Sequence, residues 1–306
     1  MPRSEVGFER WKSREVSTWS FQVFQKYNKE LSRMYISHIA AHAFTYNKLG
    51  QLAEWSDPAS TIFEFLDDTK VNNFDNVKSW SDSYNQFDNW INLNSVMAMS
   101  SNLETYMSTV IQLALESDVG VLFGTSKRID GIEIVKYGRS QPFDFEDKLV
   151  SCVKGDWSSR VCAFSKIFGS VPNILTDNIS RLEKIRKLRN NVGHAFGRDI
   201  EESRRHNVID IQSMDRLSRE NTLKYQKLIF GVARSLDKQL LQNHIGEYQA
   251  LHFYHSLRPE LNQKAPNDST KLGNHMMELK KKLGQFGAAK AGKKFCKELI
   301  VYYESL

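Results

Sequence analysis

Apolar residues recur along most of this chain at the three- and four-residue spacing of a helix, and strand-like alternation is rare. Helical spacing covers about 15–55, 92–117, 145–168 and 211–242. The clearest of these segments is 92–117. Its apolar face consists of Val96, Met99, Leu103, Met107, Val110, Ile111 and Ala114. The pattern therefore predicts an all-α protein.

Two segments interrupt the helical pattern. Residues 70–90 are rich in Asn, Asp and Ser, which predicts a connector with an aromatic-rich entry into the next helix. Residues 119–145 repeat glycine and contain the β-branched sequence GIEIVKYG, which favours an irregular insert or a short β-hairpin. We expect an N-terminal helical region at 1–88, a core at 89–242 that holds the insert, and a basic C-terminal helical region at 243–306.

Composition sets the class of protein. The chain has 306 residues, of which 41% are hydrophobic, enough for a substantial core, and its net charge of +6 suits a polyanionic partner without establishing one. Cys152, Cys162 and Cys296 form no CxxC pair, which is typical of a reducing compartment with buried or inert thiols. The apolar runs fall short of the roughly 20 residues of a membrane span. We therefore expect a soluble, cytoplasmic protein with no membrane partner.

The stretch KLRNNVGHAFGRD, residues 187–199, places an arginine where an apolar residue is expected. Leu182, Ile185, Leu188 and Val192 fall within an arc of about 120° on a helix, and Arg189 lies inside that arc. A guanidinium cannot be neutralised, and its burial without a partner is unfavourable. The position of Arg189 therefore predicts either a carboxylate partner or a cleft that binds an anion.

His194 follows Arg189 by five residues, so a continuous helix would separate the two side chains by about 140°. Gly193 is predicted to end the helix in the left-handed conformation and to bring His194 back toward Arg189. Asn190 is placed to orient the imidazole. A histidine that transfers protons and an arginine that binds phosphate suit phosphodiester chemistry, and on RNA the 2′-hydroxyl can be the nucleophile without a metal. The alternative is an ordinary helix end, because this spacing also occurs by chance.

The sequence RNNVGHAFGRD resembles the Arg-polar-x3-His signature of the HEPN superfamily, all-helical domains many of which are metal-independent ribonucleases. NLETYMSTVIQLAL resembles the first core helix of that family, with Glu104 and Tyr106 as its acidic-aromatic pair. KGDWSSRVCAFSKIFG resembles the Trp-containing segment upstream of the motif in some subfamilies. The resemblance covers about 90–240, and it implies a helical bundle of HEPN type with extra N- and C-terminal helices.

The resemblance also implies a function. Arg189 and His194 would be catalytic, with Asn190 as their polar companion, in a homodimer whose two motifs face each other. Cleavage of RNA would leave 2′,3′-cyclic phosphate and 5′-hydroxyl ends, with no metal or other cofactor, in a toxin or an anti-phage defence effector. Glu104 is either a supporting partner for Arg189 or a solvated carboxylate.

Two other functions stay open at this point. One is a non-catalytic HEPN-like subunit that dimerises or binds RNA beside an antitoxin or another regulatory protein. The other is a helical scaffold with no role in RNA binding, which predicts no salt-dependent affinity for RNA.

Further candidate residues carry weaker signals. A set of tail lysines could contact RNA phosphates, although a solvated helix face is the commoner explanation for such a stretch. This set consists of Lys280, Lys281, Lys282, Lys293 and Lys294. The pairs His38/His42 and His252/His255 have helical spacing, but neither pair comes with a third ligand, so we expect packing histidines and no metal site.

Overall fold

The computed structural model describes residues 8–65, 74–138, 144–207, 209–264, 268–286 and 291–306. These residues are mostly helical and form no β-strand, which confirms the all-α class. The helices are α1 (Trp19–Leu52), α2 (Val77–Ser117), α3 (Gly131–Lys136), α4 (Glu146–Val153), α5 (Trp157–Phe168), α6 (Asn173–Thr176), α7 (Ile179–Ala195), α8 (Ile200–Ser203), α9 (Arg219–Leu240), α10 (Tyr248–Lys264), α11 (Asp268–Gly284) and α12 (Lys293–Ser305).

The chain forms two compact units, each built from separate segments. The first unit comprises Met1–Phe24, Glu104–Ile179 and Gly231–Leu306. The second unit comprises Gln25–Leu103 and Ser180–Phe230. These units do not coincide with the three consecutive regions expected from the sequence, because the chain passes from one unit to the other four times.

Helix α2 follows its predicted face closely. All seven residues of that face are buried, and Val96, Val110, Ile111 and Ala114 are fully so. The prediction of a connector over 70–90 was wrong where the structure describes it, because α2 already begins at Val77. Its first turns carry aromatic residues at helical spacing, which outweigh the low helix propensity of the Asn, Asp and Ser between them.

The hairpin alternative for the 119–145 insert was also wrong over its described residues. Val119–Phe123 is a 3-10 turn, a single β-bridge joins Asp118 to Asp130, and GIEIVK forms helix α3. The Asp130 side chain accepts a hydrogen bond from the Ile132 N–H and caps α3, which starts a helix despite the β-branched residues. Residues 139–143 of the insert lie outside the described residues.

A buried arginine anchors the N-terminal segment in the first unit. The Arg10 guanidinium is 4% exposed and binds the Asp130 carboxylate at 2.8 Å, the Ile245 carbonyl at 2.7 Å and the Ser117 hydroxyl at 2.9 Å. Because the charge is paired and fully hydrogen bonded, its burial is tolerated. Arg10 thus joins three parts of the chain that are far apart in sequence.

Glu247 provides a second anchor for the same segment. Its carboxylate accepts the Arg14 backbone N–H at 2.6 Å, and its side chain is buried. Burial raises the pKa of Glu247 to about 7, a rise that the hydrogen bond from Arg14 opposes and that the nearby Glu15 reinforces. The folded protein therefore binds a proton here at a pH at which an unfolded chain has released it.

We expect Glu247→Gln to remove a pH dependence of stability. Because the folded pKa is raised, the stabilisation by protonated Glu247 is complete below about pH 4.5 and is lost as the pH rises through about 7. The difference in unfolding free energy between wild type and variant should change by about 3 kcal/mol across that range. Urea titrations at a series of pH values measure it. The exposed Glu201→Gln serves as control, and parallel pH profiles of wild type and Glu247→Gln would contradict the expectation.

Two further predictions concern α9 and the cysteines. Helix α9 begins at Arg219, later than the predicted 211, and a π-helical turn, Leu241–Ile245, follows it.

Cys152 and Cys296 are buried, and burial raises the pKa of Cys152 to about 11, so its thiol stays protonated. Cys162 is exposed. Among the described residues, no helix has the length and apolar character required to cross a bilayer.

Candidate functional site

The predicted motif lies on the last turns of α7, in the second unit. Leu182, Ile185 and Val192 are buried, as the apolar arc predicts, and Arg189 is half-buried beside them. The prediction that Gly193 ends the helix was wrong. Helix α7 continues through Gly193 and His194 to Ala195, because a glycine in the exposed last turn weakens a helix without breaking it.

The left-handed end of α7 comes directly after Ala195, three and four residues beyond Gly193. Phe196 has a φ of 55° and Gly197 a φ of 79°, and the Gly197 N–H donates to the Asn191 carbonyl at 2.9 Å. A Cβ atom on Gly197 would lie 3.0 Å from the Leu93 side chain, so glycine also permits the close approach to α2. The residue that terminates the helix is thus outside the Arg-x4-His spacing.

Asp215 fixes the end of α7. Its N–H donates to the Gly197 carbonyl at 2.7 Å, and its carboxylate accepts the Asn191 side-chain amide at 3.1 Å. The Asn89 side chain on α2 donates to the Asp215 carbonyl at 2.8 Å and accepts the Leu217 N–H at 2.9 Å. The motif is therefore held between α2 and the segment before α9. Sequence reasoning missed Asn89 and Asp215, because neither lies near the motif in the chain.

Arg189, Asn190 and His194 have a definite order around α7. Arg189 and His194 are about 140° apart on the continuous helix, whereas Asn190 lies within about 40° of His194. The Arg189 Nη1 donates to the Asn190 Oδ1 at 3.0 Å. This bond joins the half-buried arginine to the residue that lies nearer to His194 around the helix. Asn190 thus contacts the arginine, and its predicted role in orienting the imidazole stays a prediction.

The side of α7 that carries His194 is basic and open. His194, Lys187 and Lys184 fall within about 80° of one another, and all three are exposed. Lysine ammonium groups on one helix face contact phosphates without reading sequence. The exposed imidazole of His194 lies beyond them on the last turn of α7, where a bound polyanion has access to it.

Glu104 has a partner in the first unit. Its carboxylate binds the Arg160 guanidinium at 3.1 Å, and Arg160 also donates to the Gly155 carbonyl at 3.0 Å and packs against the Trp157 ring. These contacts give the Trp-containing sequence GDWSSR a structural role in packing. Asp156 within it is the N-cap of α5. A contact between Glu104 and Arg189 stays a prediction.

The tail lysines lie on two helices of the first unit. Lys280 and Lys281 on α11 are exposed, while Lys282 forms an ion pair with Glu260 at 2.9 Å. Lys293 and Lys294 are exposed at the start of α12, and Lys294 lies 4.0 Å from Glu298. The carboxylates beside Lys282 and Lys294 favour the solvated face over a dedicated phosphate site.

Within the histidine pairs, His38 and His255 bind neighbouring side chains, while His252 is exposed. His38 binds Asp88, which also accepts Arg219 at 2.8 Å. Burial raises the pKa of the Asp88 carboxyl, but the hydrogen bonds from Arg219 and His38 outweigh it, so the pKa lies below the usual range. The His255 ring bonds the Tyr303 hydroxyl at 2.5 Å. Over the described part of the chain, no group of three or more metal-ligating side chains comes together.

The comparisons with known proteins add no relative. No protein-family model matches the chain, and no curated protein or solved structure matches it significantly. The assignment of function therefore depends on the residues of α7 and their surroundings.

Proposed function

We propose that this protein is a metal-independent endoribonuclease of HEPN type that acts as a homodimer. His194 transfers the proton, Arg189 binds the scissile phosphate and stabilises its developing charge, and Asn190 holds the guanidinium. The 2′-hydroxyl of the substrate attacks the adjacent phosphate, which leaves a 2′,3′-cyclic phosphate and a 5′-hydroxyl. The imidazole of one His194 accepts the proton of the 2′-hydroxyl, the bond from phosphorus to the 5′ oxygen breaks, and the 5′ oxygen leaves with a proton from the imidazolium of the second copy's His194.

One observation carries this proposal. The half-buried Arg189 donates to Asn190, whose position around α7 is within about 40° of the exposed His194, on a side that also carries lysines. A half-buried arginine next to an open, basic side of its helix is better suited to bind an anion than to pack in the core. The similarity of RNNVGH to the HEPN signature supports the same assignment.

A second copy of the chain completes the site in this proposal. On a continuous helix, Arg189 and His194 leave α7 in different directions, so one copy surrounds a phosphate from one side only. Two copies that pair along their α7 ends place a second arginine and histidine opposite the first. We therefore expect the active species to be a dimer, and a role as a toxin or defence effector remains part of the proposal.

The purified protein should cleave single-stranded cellular RNA in excess EDTA, because the chemistry needs no metal. The products should carry 2′,3′-cyclic phosphate and 5′-hydroxyl ends, and light scattering should show a dimer at the concentrations that cleave. Incubation with a phosphatase that removes terminal but not cyclic phosphates identifies the ends. Dependence on a divalent ion, or 3′-hydroxyl products, would contradict the mechanism, while salt-sensitive RNA binding without cleavage would favour the non-catalytic subunit.

A further inference from the structure

An open pocket lies between α1 and the first turns of α2, within the second unit. Its volume is about 680 Å³, within the range of cavities that bind small molecules. Trp55, in the loop after α1, forms part of its wall, and the indole is 52% exposed. The other lining residues are His42, Tyr46, Lys78, Ser81, Asp82 and Asn85.

The walls combine ring faces with a neutral polar rim. The His42 ring stacks on Tyr84 with centroids 5.1 Å apart, and the Tyr46 hydroxyl bonds the Ser81 hydroxyl at 2.9 Å. At the rim, Lys78 forms an ion pair with Asp82. Because this lysine is neutralised by its neighbour, the pocket is better suited to a planar heterocycle with donors and acceptors on its edge than to a phosphate group.

His42 itself is incompletely satisfied. Its Nε2 atom is buried and has no hydrogen-bond partner among the described residues. An unpaired buried nitrogen is unfavourable, because it has given up its hydrogen bonds to water without gaining others. Burial also lowers the pKa of His42, which favours the uncharged form of the ring.

A row of aromatic rings runs from this pocket along α2 toward the motif. The aromatic row consists of Trp80, Tyr84, Phe87, Trp90 and Phe196. Successive centroids are 4.7, 6.4, 5.8 and 6.1 Å apart, and successive planes differ by 26°, 22°, 18° and 32°.

The aromatic row is open to solvent in places. Phe87 and Phe196 are 46% and 56% exposed, and Phe196 follows His194 by two residues. Trp90 lies eight residues after Asp82 on α2, a rise of about 12 Å. A short single strand of nucleic acid can span this distance.

We propose that the pocket binds an unpaired nucleobase of a single-stranded RNA whose neighbouring bases lie along the aromatic row. This inference rests on the proposed function and narrows its substrate to RNA with unstacked bases. Packing between the rings explains the buried part of the row, but it does not explain why Trp55, Phe87 and Phe196 leave about half of their surface open to solvent. Aromatic faces that bind successive bases without reading sequence are the usual platform for single strands.

The test measures binding without cleavage, in a His194→Ala background. The probe is a short fluorescent oligoadenylate, used alone and annealed to its complement, and the readout is anisotropy. Trp55→Ala should weaken binding of the single strand about five-fold or more, since the loss of one base–aromatic stack reduces affinity by that factor or a larger one. Trp55→Phe should keep most of the affinity, and binding of the duplex should be the same with and without the indole.

Phe44→Ala is the matched control, because Phe44 is a 64% exposed aromatic residue on α1 that does not line the pocket. Equal affinity of Trp55→Ala and its parent for the single strand would overturn the pocket assignment, as would failure of the parent to bind the single strand. A selective effect of Trp55→Ala in a protein whose wild type cleaves no RNA would sustain the pocket and refute the nuclease. Cleavage of RNA by wild type, with no effect of Trp55→Ala on binding, would support the nuclease and refute the pocket.

Discussion

His194→Ala is expected to reduce RNA cleavage by about 10²–10⁴-fold, the usual loss when a general acid–base group is removed. The free energy of unfolding should stay within about 0.5 kcal/mol of wild type, because the His194 side chain is exposed on the last turn of α7. Single-turnover cleavage of a radiolabelled RNA, alongside urea denaturation, measures both quantities.

His252→Ala is a suitable control for this loss. His252 is also an exposed histidine on a helix, but it lies on α10 in the first unit. The His252→Ala variant should cleave RNA at the wild-type rate. Retention of more than about a tenth of the activity by His194→Ala would show that another group transfers the proton, and the assignment of α7 as the active site would then fail.

Arg10→Met should lower the free energy of unfolding by about 3–5 kcal/mol. The substitution keeps an apolar stem of similar length, but it leaves the Asp130 carboxylate buried without its cation and the Ile245 carbonyl without its donor. Breaking one partner of a buried ion pair is strongly destabilising for this reason. Urea denaturation followed by circular dichroism gives the difference directly.

Lys12→Met controls for the loss of a positive charge from the same segment, because Lys12 is exposed. It should change stability by no more than about 0.5 kcal/mol. In the double variant Arg10→Met/Asp130→Asn the uncompensated charge is absent, so part of the loss should be recovered. A loss below about 1 kcal/mol for Arg10→Met would mean that the ion pair does not anchor the N-terminal segment.

The helical class and the best-patterned helix could be read from the sequence. The apolar face of α2 recurs at helical spacing over several turns, and a pattern of that length leaves little freedom for any other structure. The half-buried position of Arg189 was predictable for the same reason, since its neighbours on the arc are the residues that α7 buries.

Other features depend on contacts that no local pattern records. Gly131 illustrates this for the insert, because a Cβ atom there would lie 1.6 Å from the Glu116 carbonyl oxygen. That approach, together with the Asp130 cap, turns a β-branched sequence into α3. Gly193 illustrates it for the site, where the sequence offered one glycine as the helix end and the structure uses Gly197, which packs against Leu93.

Local sequence patterns could not predict the contacts that position the motif either. Asp215 lies 24 residues after Asn191, and Asn89 lies 126 residues before Asp215. Hydrogen bonds over such separations depend on the path of the whole chain. The aromatic row could be predicted in part. Its α2 residues have helical spacing in the sequence, while the contact of Trp90 with Phe196 appears only in the fold.

The order of segments also has a consequence during translation. The second unit, with the Arg189–His194 motif, is complete at Phe230, whereas the first unit still requires Gly231–Leu306. At about 5–20 residues per second, a ribosome needs about 4–15 s to make that stretch. In the first part of this interval, before Ile245 is made, Arg10 lacks the carbonyl that helps to bury it. The nascent chain therefore contains all of the second unit, with its motif, before the first unit can fold. A partner that inhibits the motif would have that interval in which to bind.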